Sequence, residues 1–299
     1  MPELQPIEAE RTAPAMPLAP VAKASTKQDD KGGKIDLFLG DFLISPIPLE
    51  MSLNWCSHAC RACFANLNSP DRKANVPAIM RQLAKVDRGV GLETTLMRMG
   101  YPVLISNKVD PFAASNVKQA VPIMETMTAR GIPFTIQTRG GRGIDDVLSF
   151  APPSLWYVSI CSLDAAQTKD LEPGAPPPEE RFDLIQKLRE KGHRVVLGLN
   201  PAVPEWCPEP GALLERAKDA GAEGVWTDAM HLSKRQADRI DERGRKALTL
   251  PLIDRVQKRK LAPEDAKMVD DVIAAADALG MPSYSVGQWR AASFFDPST

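Results

Sequence analysis

Three of the five cysteines in this 299-residue chain fall within one short stretch, Asn54-Trp-Cys-Ser-His-Ala-Cys-Arg-Ala-Cys-Phe-Ala-Asn66. Cys56, Cys60 and Cys63 have the spacing Cys-x3-Cys-x2-Cys. Soft thiolate sulfur suits iron–sulfur chemistry, and three thiolates on one tight loop can hold three corners of a cubane cluster. A cluster that only transfers electrons wants a fourth protein ligand, whereas a triad leaves one iron open for a substrate or cofactor. A structural zinc site is a second use of the same thiols, with His58, Cys207 or His231 as fourth ligand. Zinc knuckles normally pair two Cys-x2-Cys units, and no second unit exists here. A simple electron carrier is a third use. A disulfide framework is disfavoured, because five is odd and nothing marks the chain as secreted.

The elements that must position this loop are legible as an alternation. Ile47-Pro-Leu-Glu-Met-Ser-Leu53 reads as a strand feeding the cysteines, after a first ordered stretch at Ile35-Asp-Leu-Phe-Leu39. Helical spacing follows over Val76–Val86, then a strand at Pro102–Asn107 and a helix over Ala113–Ala129 stopped by Gly131. Further strands are expected at Pro133–Arg139, Leu155–Cys161, Arg194–Leu199 and Gly224–Asp228. Between them fall helices at Ile144–Phe150, Pro178–Lys191 and Gly211–Ala220. Strands separated by helices mean βαβ crossovers and a parallel sheet. Six such strands from Ile47 suggest an α/β fold, a partial (β/α)6 TIM-type barrel with a helical C-terminal extension. Chemistry in such barrels sits at the C-terminal ends of the strands, which is where the cysteine loop falls.

Composition bounds the rest. Hydrophobic residues at 43% and charged residues at 25% are ordinary for a globular chain able to bury a large core. No apolar run reaches the roughly 18 residues a membrane span needs. The start, with Glu3, Glu8, Glu10 and Arg11 before a proline-broken stretch, lacks the apolar segment of a secretion signal. A cytoplasmic location that keeps thiols reduced is expected. Residues 1–33, rich in Pro, Ala and Lys, read as a flexible tail. Residues 34–230 form the expected barrel core, and 231–299 a helical extension with a final strand at Ser283–Val286. The net charge of −1 gives no general pull toward nucleic acid. Between Lys234 and Lys260, however, ten Lys or Arg stand against four Asp or Glu, a local excess that could meet phosphates or be a solvated helical face.

On these residues the chain resembles the radical S-adenosylmethionine (radical SAM) enzymes, and within them the spore photoproduct lyase-like branch. Cys56-x-His58-x-Cys60 and Cys63-Phe-Ala65 are similar to that branch's triad. Ser106-Asn-Lys-Val-Asp-Pro-Phe112, Ile136-Gln-Thr-Arg139, Val158-Ser-Ile160, Leu171-Glu-Pro-Gly-Ala175 and Glu179-Glu-Arg181 resemble its downstream motifs, in order, over about residues 47–205. The resemblance implies a [4Fe-4S] cluster on Cys56, Cys60 and Cys63. Its open iron would take S-adenosylmethionine (SAM), split reductively to make a hydrogen-abstracting radical. It also implies an electron donor such as flavodoxin or ferredoxin. The substrate is unidentified, with nucleic acid one class the resemblance suggests. SAM contacts are expected from Ser106, Asn107, Arg139 and Ser159, and from Phe64 beside the adenine, since Ala62 stands where the branch usually has an aromatic. Glu172 and Arg181 are expected to fix the loop before the following helix, and His58 to support the cysteine loop by hydrogen bonding. The branch's hydrogen-donating cysteine is missing at Ile105-Ser106. Alternation along the fourth strand puts Tyr157, Ser159 and Cys161 on one face, which makes Cys161 the candidate donor.

Overall fold

The structure, a computed structural model, describes residues 38–39, 49–51, 53, 55–63, 75–105, 109–230 and 263–284. The tail 1–33, Phe64, Ser106, Asn107, His231 and the basic stretch 234–260 lie outside them. So does the end of the expected final strand.

Strands and helices alternate because the apolar period switches between two and about 3.6 along the chain. The strands are β1 (Phe38–Leu39), β2 (Leu49–Met51), β3 (Val103–Ile105), β4 (Phe134–Thr138), β5 (Leu155–Ser159), β6 (Arg194–Ala202), β7 (Gly224–Ala229) and β8 (Ser283–Tyr284). The helices are α1 (Val76–Ala84), α2 (Leu92–Arg98), α3 (Val117–Ala129), α4 (Ile144–Phe150), α5 (Ala165–Leu171), α6 (Pro178–Glu190), α7 (Pro210–Asp219) and α8 (Pro263–Ala278). Asn75 caps α1 by accepting from Ala78 N, and Asp164 caps α5 by accepting from Ala166 N and Gln167 N. Helices α2 and α5 went unread in the sequence. Each has seven residues, too few for a full apolar stripe, although Asp164 is a start signal for α5.

One sheet holds the strands in chain order. β1 runs antiparallel to β2, and each pairing from β2 to β7 is parallel, as expected of six barrel strands. β8 adds a further parallel strand beside β7. The result is an open, partial TIM-type barrel, α/β in class.

The two faces of the sheet differ in chemistry. Met51, Ile105, Ile136, Trp156, Val158, Leu197 and Val225 join helix residues such as Ile79, Met124, Ile185 and Leu213 in one apolar core between sheet and helices. The opposite face, by alternation and register, carries Thr135, Gln137, Tyr157, Ser159, Gly198 and Trp226. Trp156 anchors the outer layer. Its ring stacks on Phe112 at 5.7 Å, meets His193 edge-on and donates from Nε1 to Ser154 Oγ at 3.1 Å. On the inner face Gly198 is required by close approach, because a Cβ there would fall within the Tyr157 ring. Tyr157 therefore lies across β6 and bonds the Asn200 side chain.

Candidate functional site

The cysteine loop is held from two sides by backbone polar groups that a loop must satisfy somewhere. On one side, Ser115 Oγ and Asn116 Nδ2 donate to Trp55 O at 2.8 and 3.2 Å. Ser57 and Ser115 exchange bonds, each backbone N–H donating to the other's hydroxyl at 3.1 Å. On the other side, Arg61 N donates to Leu171 O at 2.8 Å and Gly174 N to His58 O at 2.9 Å. Gly174 allows this approach, since a Cβ would run into Ser57 O and the His58 backbone. Within the loop, Ala59 N bonds Cys56 O and Cys63 N bonds Cys60 O. Ala59 has φ of +51°, a left-handed conformation that a non-glycine residue adopts at a cost of about 1 kcal/mol or more.

Asp110 joins this loop to the end of β4. Its carboxylate accepts from Phe112 N at 2.9 Å, Thr138 Oγ1 at 2.9 Å and Arg139 N at 2.6 Å. Its carbonyl takes Asn116 Nδ2 at 2.9 Å. His58 Nδ1 stands 3.4 Å from Asp110 Oδ2, an electrostatic contact without hydrogen-bond alignment. Burial alone would raise the Asp110 carboxyl. His58 and the N–H groups of Arg139 and Phe112 outweigh it and hold the carboxyl below its usual range.

A second buried charge group lies beside the loop. Arg139 Nε donates to Glu172 Oε1 at 2.5 Å, and Arg181 Nη2 meets Glu172 Oε2 at 2.6 Å. Arg181, only 1% exposed, also donates to Pro176 O through Nε and Nη2 and to Ser159 O through Nη1. Burial would raise Glu172, but the two guanidinium groups bring its pKa down to about 2. Arg139, Cys60, Cys161, Glu172, Leu171 and Trp206 line one pocket at the mouth of the barrel. Trp206 Nε1 is buried there with no hydrogen-bond partner among the described residues. Cys161 Sγ donates to Asn200 O at 3.4 Å and lies 3.9 Å from Ser159 Oγ. Burial pushes the Cys161 and Cys56 thiols up to about 11 each, and Cys60 well above its usual value, with Arg139 opposing at Cys60.

Of the residues singled out in the sequence, the structure brings Cys60, Arg139 and Cys161 together, with Ser159 directly beneath Cys161. The sequence did not reveal Asp110 as a hub, the direct link of Glu172 to Arg139, or Trp206 as a pocket wall. A polar residue on an alternating inner face is the signal that would have found Gln137 and Thr135. Both carry buried side-chain oxygens with no partner among the described residues, and Trp226 Nε1 does the same for a donor.

The three loop thiols are of the donor type that an iron–sulfur cluster takes. Three thiols share one loop, yet among the described residues no three His, Cys, Asp or Glu side chains are gathered closely enough to hold one metal ion. Cys207, a zinc ligand in the alternative reading, is buried on the side of Cys161. The zinc-knuckle alternative gains no support.

No protein-family model matches the chain. Among curated proteins, an uncharacterized protein of Acidianus two-tailed virus is 23% identical over 207 residues, covering 61% of this chain and 69% of that protein. An uncharacterized protein of Mycobacterium tuberculosis is 28% identical over 204 residues, covering 62% of this chain and 60% of that protein. Among solved structures, spore photoproduct lyase superposes with a TM-score of 0.60 at 14% identity, over 84% of this chain and 78% of that one. The same lyase with bound AdoMet and dinucleoside spore photoproduct gives 0.59 at 14% identity, again over 84% and 78%. Streptococcus suis SuiB bound to precursor peptide SuiA gives 0.52 at 15% identity, over 79% of this chain but 47% of that one. At these identities the likenesses show a shared fold, the one seen in spore photoproduct lyase and SuiB.

Proposed function

We propose that this protein is a radical SAM enzyme whose Cys56, Cys60 and Cys63 hold a [4Fe-4S] cluster. The observation that carries this reading is the cysteine loop at the C-terminal end of β2, opening on a pocket that Cys60 shares with Arg139 and Cys161. When bound, the cluster supplies the electron that splits SAM and so yields the radical that abstracts hydrogen from substrate. Arg139 offers its guanidinium to the SAM carboxylate, a pairing suited to a planar fork. Ser159, Ser106 and Asn107 offer hydroxyl and amide groups to the ribose and methionyl ends, and Phe64 an aromatic face to the adenine. Asp110 and His58 hold the loop against β4. An electron donor such as flavodoxin or ferredoxin and a reducing cytoplasm complete the requirements. Among the described residues no helix is long and apolar enough to cross a membrane.

Cys161 is the hydrogen donor in this reading. Its S–H bond breaks as a hydrogen atom passes to a carbon-centred product radical, leaving a thiyl radical. One electron from the same class of donor, with one proton, returns the thiyl to the thiol. The substrate is polar and reaches the barrel interior, where Thr135, Gln137 and Trp226 offer hydrogen-bonding atoms that have no partner among the described residues. Nucleic acid is the substrate class we test first, because the basic stretch Lys234–Lys260 suits phosphates. The test of the whole reading is anaerobic reconstitution with iron and sulfide, followed by assay of SAM cleavage to 5′-deoxyadenosine. Cleavage lost in each single Cys→Ala variant is expected. Cleavage retained in Cys60→Ala would overturn the assignment.

A further inference from the structure

The segment from Leu171 to Pro176 touches both halves of the site. Its backbone holds the cysteine loop through Arg61 N to Leu171 O and Gly174 N to His58 O. Its side chain Glu172 holds Arg139 at Nε. The segment is itself pinned by Arg181, which binds Pro176 O and Glu172 and reaches back to Ser159 O on β5.

Two physical consequences follow. Arg139 is a long side chain that is one quarter exposed, and free it would sample many rotamers. The bond at Nε removes that freedom while leaving the two terminal amino groups for a second, bidentate partner. Charge matters as well. Glu172 paired with Arg139 alone would cancel the guanidinium's attraction for an anion. Arg181 shares the carboxylate, so the three side chains together keep one positive charge, matched by one incoming carboxylate.

We propose that Leu171–Pro176 is a clamp fixing the cysteine loop and the Arg139 fork relative to each other, with Glu172 and Arg181 as positioning residues for the carboxylate of the bound cofactor. The proposal rests on the reading that Arg139 meets the SAM carboxylate. Glu172 and Arg181 act on the cofactor's carboxylate through Arg139. Gly174 belongs to the clamp because only a residue without Cβ lets the segment lie against the loop.

The test compares equilibrium binding of SAM and of decarboxylated SAM to the reconstituted full-length protein, with iron content measured for every variant. Glu172→Gln is expected to weaken SAM binding about tenfold, as an unfixed arginine fork must be ordered on binding. It should leave decarboxylated SAM and iron content unchanged. Equal weakening for both ligands would show a general structural role and overturn the proposal, and so would unchanged SAM binding. Where Glu172→Gln yields no folded protein, Glu172→Asp, with the charge kept on a shorter arm, carries the same comparison. Arg139→Ala separates the two levels of inference. If it fails to weaken SAM selectively, the Arg139 reading itself is wrong. If it weakens SAM selectively while Glu172→Gln does not, the clamp alone is wrong.

Discussion

Acid should destabilise this protein through Glu172 in a window set by two pKa values. The folded carboxyl titrates at about 2, against the ordinary 4.5, and it is only 7% exposed, so solvent screens it little. The folded pKa lies below the unfolded one, so between them the unfolded state binds more protons and stability rises with pH. The contribution is complete above the unfolded value, about 3 kcal/mol for a shift of this size, and is lost as pH falls through the folded value. Between pH 5 and pH 3 the loss is about 2 kcal/mol. The assay is urea unfolding of the cluster-free protein at pH 5, 4 and 3, in wild type and Glu172→Gln. The glutamine variant starts less stable, because Arg181 is left buried without its counter-charge. The gap between the two proteins should then shrink by about 2 kcal/mol from pH 5 to pH 3. A gap that stays constant, or widens on acidification, would refute the buried pairing of Glu172 with the two arginines.

Gly198→Ala should destabilise the fold by about 1–3 kcal/mol, since the Tyr157 ring must leave its place across β6, and chemical denaturation measures it. Cys161→Ala should still cleave SAM while changing the product, and an unaltered product distribution ends its donor role. If the basic stretch meets duplex phosphates, log affinity should fall by about 0.9 per phosphate contact for each log unit of salt. Salt-insensitive or absent DNA and RNA binding would move the substrate class to a small molecule or a peptide.

Much of the barrel was legible because its strands are bounded by helices with clear apolar stripes. α4 falls on Ile144–Phe150 as read, and β4, β5 and β7 differ from the reading by a residue or two at their ends. What escaped was short or long-range. α2 buries only Met97, so no period marks it. The pairings that build the site join residues far apart in sequence: Asp110 to Thr138 across 28 positions, Arg139 to Glu172 across 33 and Arg181 to Ser159 across 22. No periodicity encodes such pairs. Glu172 and Arg181 stood in the sequence as parts of a motif, and it is the return of α6 against β5 that turns them into a support for Arg139.

The fate of SAM under strictly anaerobic, reducing conditions with the reconstituted protein tests the role of the three loop cysteines most directly. An oxygen-sensitive brown protein that converts SAM to 5′-deoxyadenosine and methionine is expected, with no conversion in Cys56→Ala, Cys60→Ala or Cys63→Ala. A colourless protein that holds one zinc ion through the same cysteines and leaves SAM intact would contradict that role.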